Sequence, residues 1–343
     1  MTGPIGILLS NLGTPDAPTV PAVRRYLAQF LTDSRVIDIP WLSRQILVRA
    51  IIAPFRAPRS ARAYASIWCP KGSPLMVQSL ALAQSLGETL GPEFRVALGM
   101  RYGRPSLESA FLDLLAQGCT EIRLVALYPQ EAEATLGSTR AEFERVGQAH
   151  GNPVPTSTTD AFPEATGFVA AQADLLRLAL EKVPAEGRRV LFSFHGLPER
   201  QVLRADISGS CCLRSPDCCQ SLADGNSRCY RAQCHATSRA LARALDLPAE
   251  SFATTFQSRL GRIPWIGPHT DHAVRELAAG GTKHLVVATP SFVADCLETL
   301  EEVGIGLRRV FLEAGGETFA LVPCVNTHPL WVQAVADLAR GNS

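Results

Sequence analysis

Short apolar runs rich in β-branched side chains alternate along the whole chain with longer stretches whose apolar residues recur every three or four positions. The first pattern predicts buried strands and the second amphipathic helices; their alternation predicts α/β architecture with parallel sheets. Predicted strands are 5–10, 94–99, 121–128, 189–194, 252–256 and 284–289. The last three repeat the first three in order. GILLSNLGTP is similar to VLFSFHGLP, FRVALGMRYGRPSLESAF to FATTFQSRLGRIPWIGPHTDHAVREL, and EIRLVALYPQ to KHLVVATPSF. Ordered self-similarity of this kind predicts two doubly wound, Rossmann-like domains of one topology, 1–160 and 161–343, with a cleft between them. The joint falls within 151–186, where Pro153, Pro155 and Pro163 accompany a Thr/Ser-rich stretch.

In such sheets the ligand sits beyond the carboxyl ends of the strands. Those ends supply Asn11, Leu12 and Gly13; Arg101 and Tyr102; Tyr128, Pro129 and Gln130; His195 and Gly196; Gln257, Ser258 and Arg259; and Pro290, Ser291 and Phe292. Two of these places carry candidate chemistry. His195 follows a strand directly and is followed by a Gly-Leu-Pro turn, which leaves its imidazole at the sheet edge. After the last predicted strand, FVADCLETLEEVG places Asp295, Glu298 and Glu302 three and four apart, the spacing of one helix face. A solvated acidic face explains such a run as readily as a site does. An imidazole and a carboxylate across one cleft suit proton transfer, and both accept borderline divalent metals. The chain has no P-loop, no H-E-x-x-H helix, no G-x-S-x-G elbow and no G-x-G-x-x-G after its first strand, which removes the usual support for nucleotide, zinc-protease, hydrolase and nicotinamide chemistry.

Composition adds limits. The chain of 343 residues is 46% hydrophobic and 19% charged, an ordinary globular balance with enough apolar side chain for two cores. A formal charge of +1 gives no basic field for a phosphate backbone, so nucleic acid is not an expected partner. The N-terminus shows no signal-peptide pattern and no run approaches the roughly 18 apolar residues of a spanning helix, so a cytoplasmic protein is expected. Segment 41–54, WLSRQILVRAIIAP, is apolar at helical spacing with Arg44 and Arg49 interspersed. It reads either as a helix packed on its own domain or as a peripheral membrane contact. Oligomeric state is not legible.

Four segments carry a family resemblance: NLGTPDAPTVPAVRRYLAQFLTDSRVIDIP, SFHGLPER, TFQSRLGRIPWIGPHTD and FVADCLETLEE, in that order over nearly the whole chain. They closely resemble ferrochelatases, which insert ferrous iron into a porphyrin in the last step of haem biosynthesis. The resemblance implies that His195 is the catalytic histidine and proton acceptor, with Glu298 its partner carboxylate, and that both contact the metal. Asp295 and Glu302 continue an acidic track, and Leu12, Ser73, Arg101, Tyr102 and Trp265 line the porphyrin pocket. Arg101 is placed to pair with a propionate. An aliphatic residue at position 12 resembles enzymes that take protoporphyrin IX, where those taking coproporphyrin tend to have Tyr. Two rival functions remain open: insertion of cobalt or nickel into another tetrapyrrole, and a carrier or redox sensor without catalysis.

The chain departs from the family pattern at 205–229, which looks like an insertion and carries Cys211, Cys212, Cys218, Cys219 and Cys229. Soft thiolates bind iron–sulfur clusters or zinc, and a reducing compartment disfavours a disulfide framework. Some ferrochelatases carry a 2Fe–2S cluster, so the resemblance implies one here, held by four of these five residues. Zinc and metal-free thiols are the alternatives. Glu133 stands where animal relatives place one Cys ligand, and Cys234 belongs to a position that holds Cys in relatives lacking any insertion.

Overall fold

The computed structural model describes residues 3–206, 208–215, 217–259, 261 and 263–341. It contains two four-stranded sheets, each entirely parallel. The first comprises β1 (Ile5–Gly13), β2 (Phe94–Tyr102), β3 (Glu121–Ala126) and β4 (Thr156–Thr158) in the order β2-β1-β3-β4. The second comprises β5 (Arg188–His195), β6 (Phe252–Gln257), β7 (His284–Ala288) and β8 (Thr318–Leu321) in the order β6-β5-β7-β8. The two orders are the same, so the internal repeat extends to a fourth strand that the apolar pattern does not reveal. β4 is three exposed Thr and Ser residues, and β8 is the half-buried run Thr-Phe-Ala-Leu.

Central strands are continuous hydrophobic runs, buried at successive positions as strands of parallel sheets are. In β1, Ile7, Leu8 and Leu9 are fully buried; in β5, Leu191, Phe192 and Phe194 are. Leu8, Leu124, Phe111 and Phe143 share one core in the first sheet, and Leu191, Leu285, Val274 and Phe311 share one in the second. Helix periodicity follows the same economy: in helix Val20–Leu31 the buried side chains are Ala22, Val23, Tyr26, Leu27 and Leu31, one stripe of an amphipathic cylinder.

Two compact units result. One runs from the N-terminus to Tyr128, resumes at Ala132–Ala161 and takes in the C-terminal helix from Trp331; the other comprises Pro129–Glu131 and Phe162–Leu330. The C-terminal helix joins the first unit because Trp331, Val335 and Ala339 are buried. Arg123 also donates to the Ala339 carbonyl at 3.0 Å, and Arg340 to that of Thr89 at 3.3 Å.

Segment 41–54 lies in a helical stretch: helix Trp41–Ile46, π-helical Leu47–Ile52, then helix Ala53–Ile67. Arg44 is buried and donates to the carbonyls of Thr32 and Ile39. Trp41, Leu42, Ile46, Ile51 and Phe55 are exposed. Among the described residues no helix is long and apolar enough to cross a membrane.

Candidate active site

β5 delivers His195 to the carboxyl edge of the second sheet, opposite Gln257 of β6. The next residue must be small: a Cβ on Gly196 would lie 2.9 Å from the Gln257 carbonyl oxygen and 3.4 Å from the Trp265 ring. His195 is half-buried and held at three atoms. Its N–H donates to Ser291 Oγ (3.1 Å), its carbonyl accepts from the Tyr230 hydroxyl (2.8 Å), and ring Nδ1 lies 2.7 Å from the Gly196 carbonyl oxygen. A carbonyl can only accept, so Nδ1 carries a proton and, in the neutral ring, Nε2 presents a lone pair. Burial, with Cys234 beside it, pushes the Tyr230 hydroxyl far up and keeps it a donor.

β7 leads through Ser291 to a helical segment that is π-helical over Glu298–Leu307 before continuing as helix Arg308–Glu313. Local π geometry is concentrated at functional sites. Glu298 opens it, half-buried, with its backbone carbonyl accepting from Gln257 Nε2 at 3.2 Å. Its carboxylate lies beside the Cys296 thiol, whose pKa is pushed up first by burial and then by that charge. Glu302 accepts a hydrogen bond from Ser258 Oγ. Ser258 has φ 63°, a left-handed backbone that a non-glycine residue adopts at a cost and that recurs at functional sites.

Asp295 does not share this face. It precedes the helical segment, and both carboxylate oxygens are engaged, Oδ1 by the Cys324 N–H (2.9 Å) and Oδ2 by Asn326 Nδ2 (2.8 Å). The expectation of three carboxylates on one helix face is corrected to two, because helical spacing was extended into residues that brace the Cys324–Asn326 loop.

In the first unit, Leu12 is half-buried against the core at the end of β1, and Ser73 is buried with Oγ accepting from Thr14 at 2.8 Å. Arg101 and Tyr102 belong to a closed network. Arg101 Nη2 lies 2.6 Å from Asp33 Oδ2, Arg101 Nε donates to Ser138 Oγ at 2.7 Å, and the Tyr102 hydroxyl donates to Asp33 at 2.9 Å. Burial works against the Asp33 charge, yet Ser138, the Arg35 N–H, Tyr102 and the Arg101 charge together hold its pKa below the ordinary value. Asp33 and Ser138 have no local sequence signal, since their partner Arg101 stands 68 and 37 residues away. Arg101 and Tyr102 line a cavity of about 500 Å³ with Arg35, Arg44 and Arg145.

Trp265 is half-buried on a loop that pairs with the one after His195: Ile266 donates to Leu197 (3.0 Å) and Glu199 to Pro264 (3.1 Å). A cavity of about 680 Å³ behind these loops, lined by Glu199, Arg214, Arg231, His269, His272 and Glu276 among others, contains none of the expected site residues.

Cysteines of 205–229 gather. Cys212, Cys219 and Cys229 are buried, Cys229 hydrogen-bonds both others, and the sulfurs of Cys218 and Cys219 lie 3.7 Å apart. The Cys229 hydrogen bond and then burial push the Cys219 thiol up, and burial raises that of Cys212. Arg231 Nη1 donates to Cys219 Sγ at 3.2 Å. Polar groups order the loop backbone. Asp206, its pKa lowered to about 2 by Ser208 and then the Cys212 N–H, accepts from the N–H groups of Cys211 and Cys212; Asn226 and Arg239 donate to the Cys218 and Cys219 carbonyls. Among the described residues no three His, Cys, Asp or Glu side chains are arranged to hold a metal ion.

The family model described as Ferrochelatase matches residues 4–343. A ferrochelatase of Coxiella burnetii (strain Dugway 5J108-111) is 45% identical over 98% of this chain and 93% of its own length. One of Legionella pneumophila (strain Lens) is 43% identical over 98% of both chains. Among solved structures, the sirohydrochlorin chelatase SirB from Bacillus subtilis subspecies spizizenii in complex with cobalt matches with TM-score 0.54 at 11% identity, over 99% of this chain and 95% of that one. SirB from Bacillus subtilis with Fe3+ matches with TM-score 0.51 at 14% identity over the same shares. These structural matches establish a shared fold.

Proposed function

The chain belongs to the ferrochelatase family, and from that premise we propose that His195 and Glu298 flank the point at which ferrous iron enters the porphyrin. As a lyase acting on a porphyrin and ferrous iron, the enzyme must remove two pyrrole N–H protons for each metal inserted. His195 Nε2 accepts one, because Nδ1 is committed to the Gly196 carbonyl, and this contact is the observation that carries the reading. Glu298 accepts the second and Glu302 passes protons toward solvent. Asp295, with both carboxylate oxygens hydrogen-bonded, braces the turn instead.

Protoporphyrin IX is the proposed substrate, on the strength of aliphatic Leu12. Leu12, Ser73, Arg101, Tyr102 and Trp265 are its proposed contacts. Arg101, already paired with Asp33, would meet a propionate only by sharing its guanidinium. Anaerobic incubation of the protein with ferrous iron and protoporphyrin IX, followed by the haem spectrum, tests this. Haem formation faster than with coproporphyrin is expected; cobalt taken in preference to iron at equal concentration contradicts it.

We further infer that the Cys-rich segment holds a 2Fe–2S cluster. Cys212 and Cys219, each buried and hydrogen-bonded to buried Cys229, with Cys218 beside Cys219, supply a soft donor set that fits one. Two irons share four thiolates between them, so three ligands around a single point are not required. Four of these cysteines, deprotonated to thiolates, would hold the cluster, which would supply iron–thiolate bonds that stiffen the loop. Anaerobically purified protein should show visible absorption that dithionite bleaches; a colourless preparation with stoichiometric zinc contradicts it.

Exposed Trp41, Leu42, Ile46, Ile51 and Phe55, accompanied by exposed Arg49, Arg56 and Arg59, support peripheral contact with an anionic membrane. Co-sedimentation with phosphatidylglycerol vesicles, lost in Trp41→Asp/Phe55→Asp, is the expected result.

A further inference from the structure

Gln257 touches both strand ends of the proposed catalytic edge. Its backbone carbonyl accepts the Gly196 N–H at 2.7 Å, which fixes the His195–Gly196 peptide, immediately before the Gly196 carbonyl that faces His195 Nδ1. Its amide Nε2 donates to the Glu298 carbonyl at 3.2 Å, at the first residue of the π-helical segment. The amide cannot rotate freely. Gln257 is buried, and the Ser193 hydroxyl donates to Oε1 at 2.6 Å while lying 2.8 Å from Thr270 Oγ1. Turning the amide over would set an oxygen against the Glu298 carbonyl, so that carbonyl selects the orientation, and the Ser193 hydroxyl secures it by donating to Oε1. Gln257 does not point at the imidazole or the carboxylate that do the proposed chemistry; it contacts the backbone beside each.

We propose that Gln257 is a positioning residue: it sets the separation of His195 and Glu298, with Ser193 securing its amide. The proposal rests on the catalytic reading of Glu298 given above. Within the turn that Glu298 opens, Thr299 Oγ1 exchanges hydrogen bonds with Cys296 and the Leu300 N–H donates to the Cys296 carbonyl; Gln257 adds a bond from the neighbouring strand, which ties that turn to the sheet edge. A catalytic carboxylate displaced by a fraction of an ångström loses rate without losing substrate affinity, since the misplacement is felt at the reacting atoms.

The test compares Gln257→Leu, Ser193→Ala, Glu298→Gln and the double variant Gln257→Leu/Glu298→Gln in anaerobic steady-state assays with ferrous iron and protoporphyrin IX. Gln257→Leu should lower kcat about tenfold with both KM values within about threefold of the wild type. In the Glu298→Gln background the same change should lower kcat by less than about twofold, because the group being positioned is already gone. Equal loss in both backgrounds, or wild-type kcat in Gln257→Leu, overturns the proposal while leaving Glu298 in its role. Full activity in Glu298→Gln removes that role and the clamp with it. Should Gln257→Leu not fold, Ser193→Ala decides: about threefold lower kcat at unchanged KM supports the clamp, and wild-type kcat contradicts it.

Discussion

At the carboxyl edge of the first sheet β1 closes on Leu12 and Gly13; at the same place in the second, β5 closes on His195 and is followed by Gly196. The register makes the match residue by residue. Gly13 pairs with Tyr102, so Leu12 falls opposite Arg101, as His195 falls opposite Gln257. Both glycines are demanded by the neighbouring strand: a Cβ on Gly13 would sit 1.7 Å from the Tyr102 carbonyl oxygen, and one on Gly196 2.9 Å from that of Gln257. Ser10 and Ser193, two positions earlier than Leu12 and His195, are both fully buried, but Ser193 secures Gln257 while the Ser10 hydroxyl has no partner among the described residues. The same scaffold thus carries an apolar strand end braced by an ion pair in one unit and a titratable one braced by neutral hydrogen bonds in the other. Placing Arg101 and Asp33 side by side neutralises the charge near Leu12. Bracing His195 through hydroxyl and peptide groups keeps a basic nitrogen available.

Breaking the comparison is most damaging at its chemical end. His195→Leu, which makes the second edge resemble the first, should lower the rate of haem formation by about 10²–10⁴, the usual contribution of a positioned general base. Leu12→Ala should cost less than about tenfold, and rate assays on both distinguish the edges. At the charged brace, Asp33→Asn leaves Arg101 without its carboxylate among side chains that are only 15% and 7% exposed, and should destabilise the fold by about 3 kcal/mol in urea titration at neutral pH. The sign follows from the lowered pKa of Asp33. Its contribution is complete above the unfolded carboxylate value near pH 4 and is lost as pH falls through the lower folded value, so Asp33→Asn should flatten the acid limb there.

The second unit has its own acid response. His235, its pKa lowered to about 4 by burial and then by Arg231 and Arg239, stays neutral when folded, whereas the unfolded chain binds its proton below about pH 6.5. Melting temperature should therefore fall between about pH 6.5 and 4 through this group, and His235→Leu should reduce that slope. The smallest contrast is between the two serines. Ser10→Ala removes a buried hydroxyl with no partner among the described residues and should be neutral or slightly stabilising, while Ser193→Ala should cost about 1 kcal/mol in thermal or urea unfolding.

Self-similarity in the sequence reveals three strand pairs because β1, β2 and β3 and their counterparts are apolar runs with turn residues at matched places. β4 and β8 escape it, since Thr-Ser-Thr has no apolar signal and four residues of β8 are too few to show a period. His195, Glu298 and Glu302 are legible as strand-end and helix-face residues. Asp295 is misread because spacing does not reveal where a helix starts, and π geometry has no pattern distinct from α over ten residues. Gln257 stands out only as a strand-end residue. Its function depends on Ser193 and Glu298, 64 and 41 residues away, and such partners are set by topology. Clustering of cysteines is plain in the sequence, but which sulfurs meet depends on how Asp206 and Asn226 fold the loop backbone.

The central claim is that His195 offers Nε2 as a base because Nδ1 holds the proton. Nitrogen-15 NMR of the protein labelled at histidine, at a pH where the ring is neutral, reads this directly, with His195→Leu identifying the signal. A tautomer protonated at Nδ1 and bare at Nε2 is the predicted result; one protonated at Nε2 would contradict the account.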